Sequence, residues 1–142
     1  MILSAGYEAT SLDDLVARLR AAEVAVVVDV RRTPASRKPG FSRRRLAEAL
    51  GAAGIEYASE RDLGNPPDNR DAFRRGDRAS VRRMRAIVAG PGAEALDRVV
   101  ARASAERVAL LCICADHALC HRRIVADMAV EQDPTIEVLP LP

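Results

Sequence analysis

The nearly all-apolar run VAVVVDV at residues 24–30 constrains the fold of this chain more than any other feature. Its β-branched residues favour a strand, and the run lacks the apolar–polar alternation of a strand with one face in water. A second run of this kind, RVALLCIC, occupies residues 107–114. Strands that are apolar on both faces are typical of parallel sheets, whose neighbouring strands are joined by long crossovers, usually helices. The two runs therefore predict an α/β domain.

The rest of the chain alternates between short apolar runs and helical periodicity. Further strands are expected at residues 1–4, 55–58 and 135–140, and helices at 11–23, 42–53, 80–89, 92–104 and 120–131. Ser11 and Ser42 are placed to cap the first two helices, and Gly54 to end the second in a left-handed conformation. Residues 59–78 carry charge and turn residues with little periodicity, which predicts a long connection. We therefore expect a single domain over residues 1–142, a three-layer Rossmann-like or flavodoxin-like α/β fold with a mainly parallel sheet of about five strands.

Hydropathy and cysteine content set further bounds. The longest apolar run, VALLCICA at residues 108–115, is far shorter than the roughly 20 residues of a membrane-spanning helix. The residues after Met1 show neither the basic start nor the apolar core of a signal peptide. Three cysteines, clustered toward one end of the chain, do not form a disulfide framework. These features predict a cytoplasmic protein without a membrane partner, and none of them indicates an oligomeric state.

Basic residues are unevenly distributed, although the formal net charge is only +2. Residues 31–45, the basic segment, carry seven positive charges and no negative one, and residues 61–85 carry eight arginines against four aspartates. Arginine matches planar oxyanions with two parallel hydrogen bonds, so the basic segment is a candidate anion-binding element. For the three arginines at 43–45, a solvated first helical turn is the more ordinary explanation.

The connections that leave the carboxyl ends of parallel strands lie on one rim of the sheet, where ligands bind in such folds. The residues expected on this rim are Gly6, Tyr7, 29–32, Glu60 and 114–121. An oxyanion bound there would contact Arg31, Arg32 and Arg37 on one side. On the other side it would contact the amino end of the last helix, with Arg122. Asp29 is expected to orient Arg31 or the nearby backbone, which is a more ordinary role than catalytic acid.

Cys120 and His121 are the candidates for a reactive centre. Cys120 is predicted near the first turn of the last helix, where the helix dipole and the two following arginines would stabilise a thiolate. His121, whose ordinary pKa is about 6.5, could pair with that thiolate or transfer a proton. Cys114 lies at the exit of the preceding strand, and Cys112 is expected in the core. The alternative is a structural role in which Cys120 and His121 pack inward.

The spacing argues against familiar thiol and metal sites. Tyrosine-phosphatase-like and rhodanese-like loops place an arginine at a fixed distance after the cysteine, and neither Cys114 nor Cys120 has an arginine there. Cys114, His117, Cys120 and His121 offer zinc ligands. Structural zinc sites, however, usually join two separated ligand pairs, and neighbouring residues on a helix point about 100° apart. The sequence therefore predicts neither a metal nor another cofactor.

Several motifs occur in a characteristic order: SAGY after the first strand, VDVRRTPASR at the second, FSRRRLAEALGAAGIEYAS, LG at 63–64, and CICADHALCHRR. In this order they resemble the domain of unknown function 488 family. The resemblance implies a bacterial Rossmann-like or flavodoxin-like domain with Cys120-His121-Arg122 as its signature triplet, and it implies no reaction. Asn65 and Asp116 stand where the family pattern usually has glycine and glutamate. Asp116 is nevertheless a candidate for substrate contact, beside Tyr7 and Cys114.

Two functions are open. The first is an enzyme that acts on a phosphorylated small molecule, a nucleotide or a nucleic acid. Cys120 or His121 would be its reactive group, and Arg31, Arg37 and Arg122 would bind the oxyanion. The second is a non-catalytic module that binds nucleic acid or an acidic partner. Two Phe, two Tyr and no Trp leave little for base stacking, although charge alone could bind a duplex backbone. The enzyme is the favoured hypothesis.

Overall fold

A computed structural model, which describes residues 1–142, contains one five-stranded sheet. The strands are β1 at Ile2–Gly6, β2 at Val26–Asp29, β3 at Glu56–Ser59, β4 at Val108–Cys112 and β5 at Val138–Pro140. They are all parallel, in the order β3-β2-β4-β1-β5. The predicted three-layer α/β class is confirmed. The layers are those of Rossmann-like and flavodoxin-like domains, while β4 lies between β1 and β2.

Six helices cover the sheet. They are α1 at Leu12–Ala21, α2 at Arg43–Ala52, α3 at Arg70–Arg74, α4 at Arg78–Ala89, α5 at Ala93–Ala105 and α6 at Arg122–Gln132. Successive side chains of a strand point to opposite faces, so the sheet separates two apolar clusters. One contains Leu15 of α1 and Leu46 of α2, and the other contains Met84 of α4 and Ile124 of α6. None of the helices combines the length and the apolar character that crossing a membrane requires.

The connection at residues 59–78 holds more regular structure than its sequence suggests. It contains short 3-10 turns at Arg61–Leu63 and Pro67–Asn69, followed by α3. Phe73 packs into the core, and the buried amide of Asn69 donates hydrogen bonds to Asn65 Oδ1 and Ser80 O. Phe73 and Asn69 hold this segment in place, and it has no apolar face at helical spacing. The sequence therefore predicted only a long connection.

The predicted helix ends are correct in position, and one differs in its bonds. Ser11 Oγ accepts a hydrogen bond from Asp14 N at 3.1 Å, and Gly54 adopts φ 76°. Ser42 precedes α2 but does not cap it, so the predicted capping bond is wrong. Its hydroxyl instead accepts from Ser36 N and donates to Ser36 O, at 3.1 and 3.2 Å. This pair closes the basic segment into a loop.

Strand β4 lies at the point where the crossovers change direction. The chain leaves β1 and β2 toward α1 and α2, which pack on one face of the sheet, and it leaves β4 toward α6 on the other face. Connections that diverge from adjacent parallel strands open a crevice at the carboxyl ends, where ligands bind in such folds. The topology therefore places a crevice on each side of the end of β4.

Candidate functional site

A cavity of about 360 Å³ lies at the carboxyl ends of the strands, around the end of β4, and we call it the rim cavity. Residues after β1, β2, β3 and β4 all contribute to its lining, as the parallel topology predicts. Its side chains include Tyr7, Arg31, Arg32, Arg37, Lys38, Asn65, Arg70, Phe73, Arg74, Cys112, Cys114, Cys120 and His121. The volume falls within the range of pockets for small ligands and cofactors.

The rim cavity is strongly basic. Its lining contains no aspartate or glutamate. Other arginines of the chain form nine ion pairs with carboxylates. Five cations of the cavity form none: Arg32, Arg37, Lys38, Arg70 and Arg74. Unpaired cations that converge on a concave surface create a positive potential there. The cavity is therefore complementary to an anion.

Arg31 differs from these five because its guanidinium is bound inside the protein. Its Nε and Nη2 donate to the two carboxylate oxygens of Asp29 at 2.8 and 2.6 Å. Its Nη1 donates to Phe41 O at 2.6 Å and to Tyr7 Oη at 3.1 Å. Asp29 is fully buried and also accepts from Tyr57 Oη at 2.6 Å. The predicted orienting role of Asp29 is confirmed, and Arg31 holds the base of the basic segment.

Two further contacts fix the basic segment against β1. The rings of Tyr7 and Phe41 stack with centroids 4.3 Å apart. The ammonium of Lys38 donates to the carbonyl oxygens of Tyr7 and Glu8 at 2.8 and 2.9 Å. These contacts define the wall from which Arg32 and Arg37 reach the cavity, so little conformational entropy is lost by ordering the backbone when a ligand binds.

A buried cluster of Cys112, Cys120 and His121, the thiol–imidazole cluster, also contributes to the lining. His121 immediately precedes α6, and its Nε2 lies 2.8 Å from Val30 O at the end of β2. Because a carbonyl can only accept, Nε2 carries the proton and Nδ1 presents its lone pair. Nδ1 lies 4.0 Å from the sulfur of Cys112 and 3.8 Å from that of Cys120.

The pKa values within this cluster are shifted in opposite directions. Hydrogen bonds from the thiols of Cys114 and Cys120 lower the pKa of Cys112, and Arg122 adds to this effect. Hydrogen bonds with Cys112 and Cys114, together with burial, raise the pKa of Cys120. This direction is opposite to the lowering that the sequence predicted for Cys120 from its place at the helix end. Burial also lowers the pKa of His121 and keeps its imidazole neutral.

Arg122 supports this arrangement from within the core. Its side chain is completely buried, and its Nη2 donates to Cys114 O at 2.6 Å. Its Nε and Nη1 have no hydrogen-bond partner. A buried cation of this kind favours negative charge on its neighbours, which are the thiols. Gly6 permits this packing, since a Cβ there would lie 2.0 Å from Cys114 O.

Seven of the nine site residues expected from the sequence meet at the rim cavity: Tyr7, Arg31, Arg32, Arg37, Cys114, Cys120 and His121. The other two do not line it. Arg122 is buried behind it, and Asp116 is exposed, where its carboxylate accepts from Ala118 N. Glu60 follows β3 at the rim, as expected, but it does not line the cavity, and its carboxylate pairs with Arg98 of α5 at 2.8 Å.

Sequence reasoning did not assign Lys38, Arg70, Arg74 or Cys112 to the site. A signal for Arg70 and Arg74 was present, because they are four residues apart, on one face of a helix, within the arginine excess at 61–85. Cys112 was expected in the core, and it is indeed 6% exposed. Because β4 ends at Cys112 rather than at residue 114, this core residue also reaches the rim.

A comparison with known protein families agrees with the resemblance that the sequence motifs suggested. Residues 11–129 match the family described as Domain of unknown function DUF488, which is most of the chain. No curated protein and no solved structure matches. The chain, with its Cys120-His121-Arg122 triplet at the rim of a parallel sheet, belongs to the DUF488 family.

Proposed function

We propose that this protein is an enzyme that acts on a phosphorylated small molecule or a nucleotide bound in the rim cavity. One observation carries the proposal: five cations without a carboxylate partner line a cavity whose wall also includes the buried thiol–imidazole cluster. Arginine and lysine supply the charge-assisted hydrogen bonds that phosphate accepts. The cluster supplies the reactive group, with Cys120 and His121 as members of it.

Binding and chemistry belong to different parts of the cavity. Arg32 and Arg37 approach from the basic segment, and Arg74 approaches from α3, where its Nη2 lies 3.7 Å from the sulfur of Cys114. A phosphate held between these elements would lie beside the cluster. Proximity of this kind is a large part of enzymatic rate enhancement. Arg31 and Arg122 are positioning residues, because their guanidinium groups are buried within the protein.

Phosphate-bearing ligands should raise the melting temperature of the purified protein, and the affinity should depend on the cavity cations. We expect Arg37→Ala and Arg74→Ala each to weaken binding about tenfold, the lower end of what a charged hydrogen bond contributes, about 1.5 kcal/mol. Arg20→Ala is the matched control, because Arg20 is exposed on α1 outside the cavity. Equal effects of all three variants would show that binding is only a response to net charge.

Turnover is measured separately, by mass spectrometry of a panel of phosphate esters and nucleotides incubated with the protein. Cys120→Ser and His121→Gln should abolish product formation and leave ligand binding in place. If a ligand binds in the cavity but no member of the panel is converted, the enzyme proposal fails and a binding role is left.

The second candidate is a non-catalytic nucleic-acid module. The observation that favours it is the exposed arginine triplet Arg43, Arg44 and Arg45 at the start of α2, outside the cavity. Binding through backbone phosphates would weaken steeply with salt. Duplex binding that Arg43→Ala and Arg45→Ala weaken, and that Arg74→Ala does not, would favour this candidate over the enzyme.

A further inference from the structure

The thiol–imidazole cluster has the composition and spacing of a metal site. The sulfurs of Cys112 and Cys120 and the Nδ1 of His121 all lie within 4.8 Å of one another, and all three residues are buried. In a tetrahedral zinc site with Zn–S near 2.3 Å and Zn–N near 2.0 Å, a sulfur and a nitrogen lie about 3.5 Å apart. The observed 4.0 and 3.8 Å require shifts of only a few tenths of an ångström.

The orientation of His121 is a second, independent observation. Its Nε2–H is held by Val30 O at 2.8 Å, so the lone pair of Nδ1 is available and directed toward the two sulfurs. Metal-bound histidines almost always donate their other ring N–H to a carboxylate, backbone carbonyl or water in this way. A carbonyl at the end of a neighbouring strand therefore presets the imidazole as a ligand.

We propose that Cys112, Cys120 and His121 bind one zinc ion, with its fourth position open to the rim cavity. Two thiolates and a neutral imidazole neutralise the divalent charge, which suits a buried site. Three protein ligands and one open position are the arrangement of catalytic zinc, and Cys₂His is one of the ligand sets found there. All three residues line the cavity, so a bound ligand can reach the fourth position.

This ligand set differs from the one that the sequence suggested. The structure separates His117, whose Nδ1 lies 2.8 Å from Ser4 Oγ. The Cys114 thiol neighbours those of Cys112 and Cys120, but its sulfur is not among the three donor atoms that lie within 4.8 Å of one another, and it lies 3.7 Å from Arg74 Nη2. Cys112 takes their place, because the end of β4 and the start of α6 meet at the rim. The objection that Cys120 and His121 are sequence neighbours loses its force, because both precede the first residue of α6 and their directions are set by the loop.

The inference rests on the proposed function for the use of the metal, which would polarise an oxygen of the bound substrate. It is tested without any substrate. The full chain is reduced, stripped with a chelator and titrated with cobalt(II), whose thiolate charge-transfer and ligand-field absorption report a tetrahedral sulfur site. We expect saturation at one cobalt per chain, displacement by zinc, and slower alkylation of Cys112 and Cys120 in the zinc-loaded protein.

Variants identify the ligands. Cys120→Ser and His121→Gln should weaken cobalt binding at least tenfold, whereas His117→Gln, the control at the other histidine, should leave it unchanged. Cys114→Ser should also keep the absorption, because Cys114 is outside the ligand set. Loss of a thiolate band in Cys114→Ser would indicate a closed site with a fourth protein ligand and would overturn the open position.

The absence of a thiolate–cobalt band in the unaltered chain would overturn the proposal, and that measurement requires no variant to fold. Cobalt binding that survives both Cys120→Ser and His121→Gln would overturn it as well. Cobalt binding without affinity for phosphate-bearing ligands would refute the proposed function and leave the metal site. Phosphate-ester turnover in a cobalt-silent protein would do the opposite.

Discussion

Replacing Arg31 by methionine tests whether this residue holds the base of the site or binds ligand directly. The substitution removes four side-chain hydrogen bonds, two of them to Asp29, and keeps most of the buried volume. Asp29 is fully buried and would retain only Tyr57 Oη and the backbone N–H of residue 31. Removing one partner of a buried ion pair costs about 3–5 kcal/mol, because the other charge stays uncompensated.

The free energy of unfolding is measured by urea titration followed by circular dichroism. Asp29→Asn combined with Arg31→Met should recover part of the loss, with a coupling energy of about 1–3 kcal/mol. Arg44→Met is the matched control, because its ion pair with Glu48 is solvent-exposed and contributes less than about 1 kcal/mol. If Arg31→Met costs no more than Arg44→Met, the buried pair is not structural and the assignment of Arg31 is refuted.

Three further predictions concern local structure. Gly64→Ala should lower the free energy of unfolding by about 1–3 kcal/mol in the urea assay, because its Cβ would lie 2.4 Å from the backbone of Arg32. A neutral result would contradict this close approach. Gly51→Ala should instead raise stability by about 0.5–1 kcal/mol, since it lies within α2 with open space around it, and a decrease would contradict the helical assignment. Burial lowers the pKa of His117, so the unfolded chain binds the proton more tightly and stability should fall as the pH drops below about 6.5. In metal-free protein, the loss of unfolding free energy between about pH 7.5 and 5.5 should be smaller in His117→Gln than in the unaltered chain. An equal loss would refute the lowered pKa of His117.

Most of the fold could be predicted from the sequence because the relevant signals are local. The unalternated run at 24–30 predicts a covered strand, and Gly54 predicts a helix end, from the chemistry of a few adjacent residues. The meeting of the basic segment with Cys120 also followed, since parallel topology brings strand exits to one rim. These inferences required no knowledge of which strands are neighbours.

The site was less predictable because it depends on distant pairings. Whether Arg31 faces a ligand or the interior is decided by Tyr7 and Phe41, which approach it from other elements. Whether Cys112 belongs to the core or the rim is decided by the residue at which β4 ends. The burial of Arg122 likewise follows from the path of the loop before α6, which leaves no periodic pattern in the sequence.

The separation of the core by the sheet has a mechanical consequence. Tyr7 and Phe41 belong to the smaller apolar cluster, whereas Phe73 and Cys120 belong to the larger one, and the rim cavity has lining residues on both sides. An occupant that spans the cavity would contact both helical layers at once and would connect two parts of the core that the sheet otherwise separates. Amide hydrogen exchange would then slow together in the basic segment and in α3, segments far apart in the chain. The stiffness of the protein at this edge would be set by its ligand.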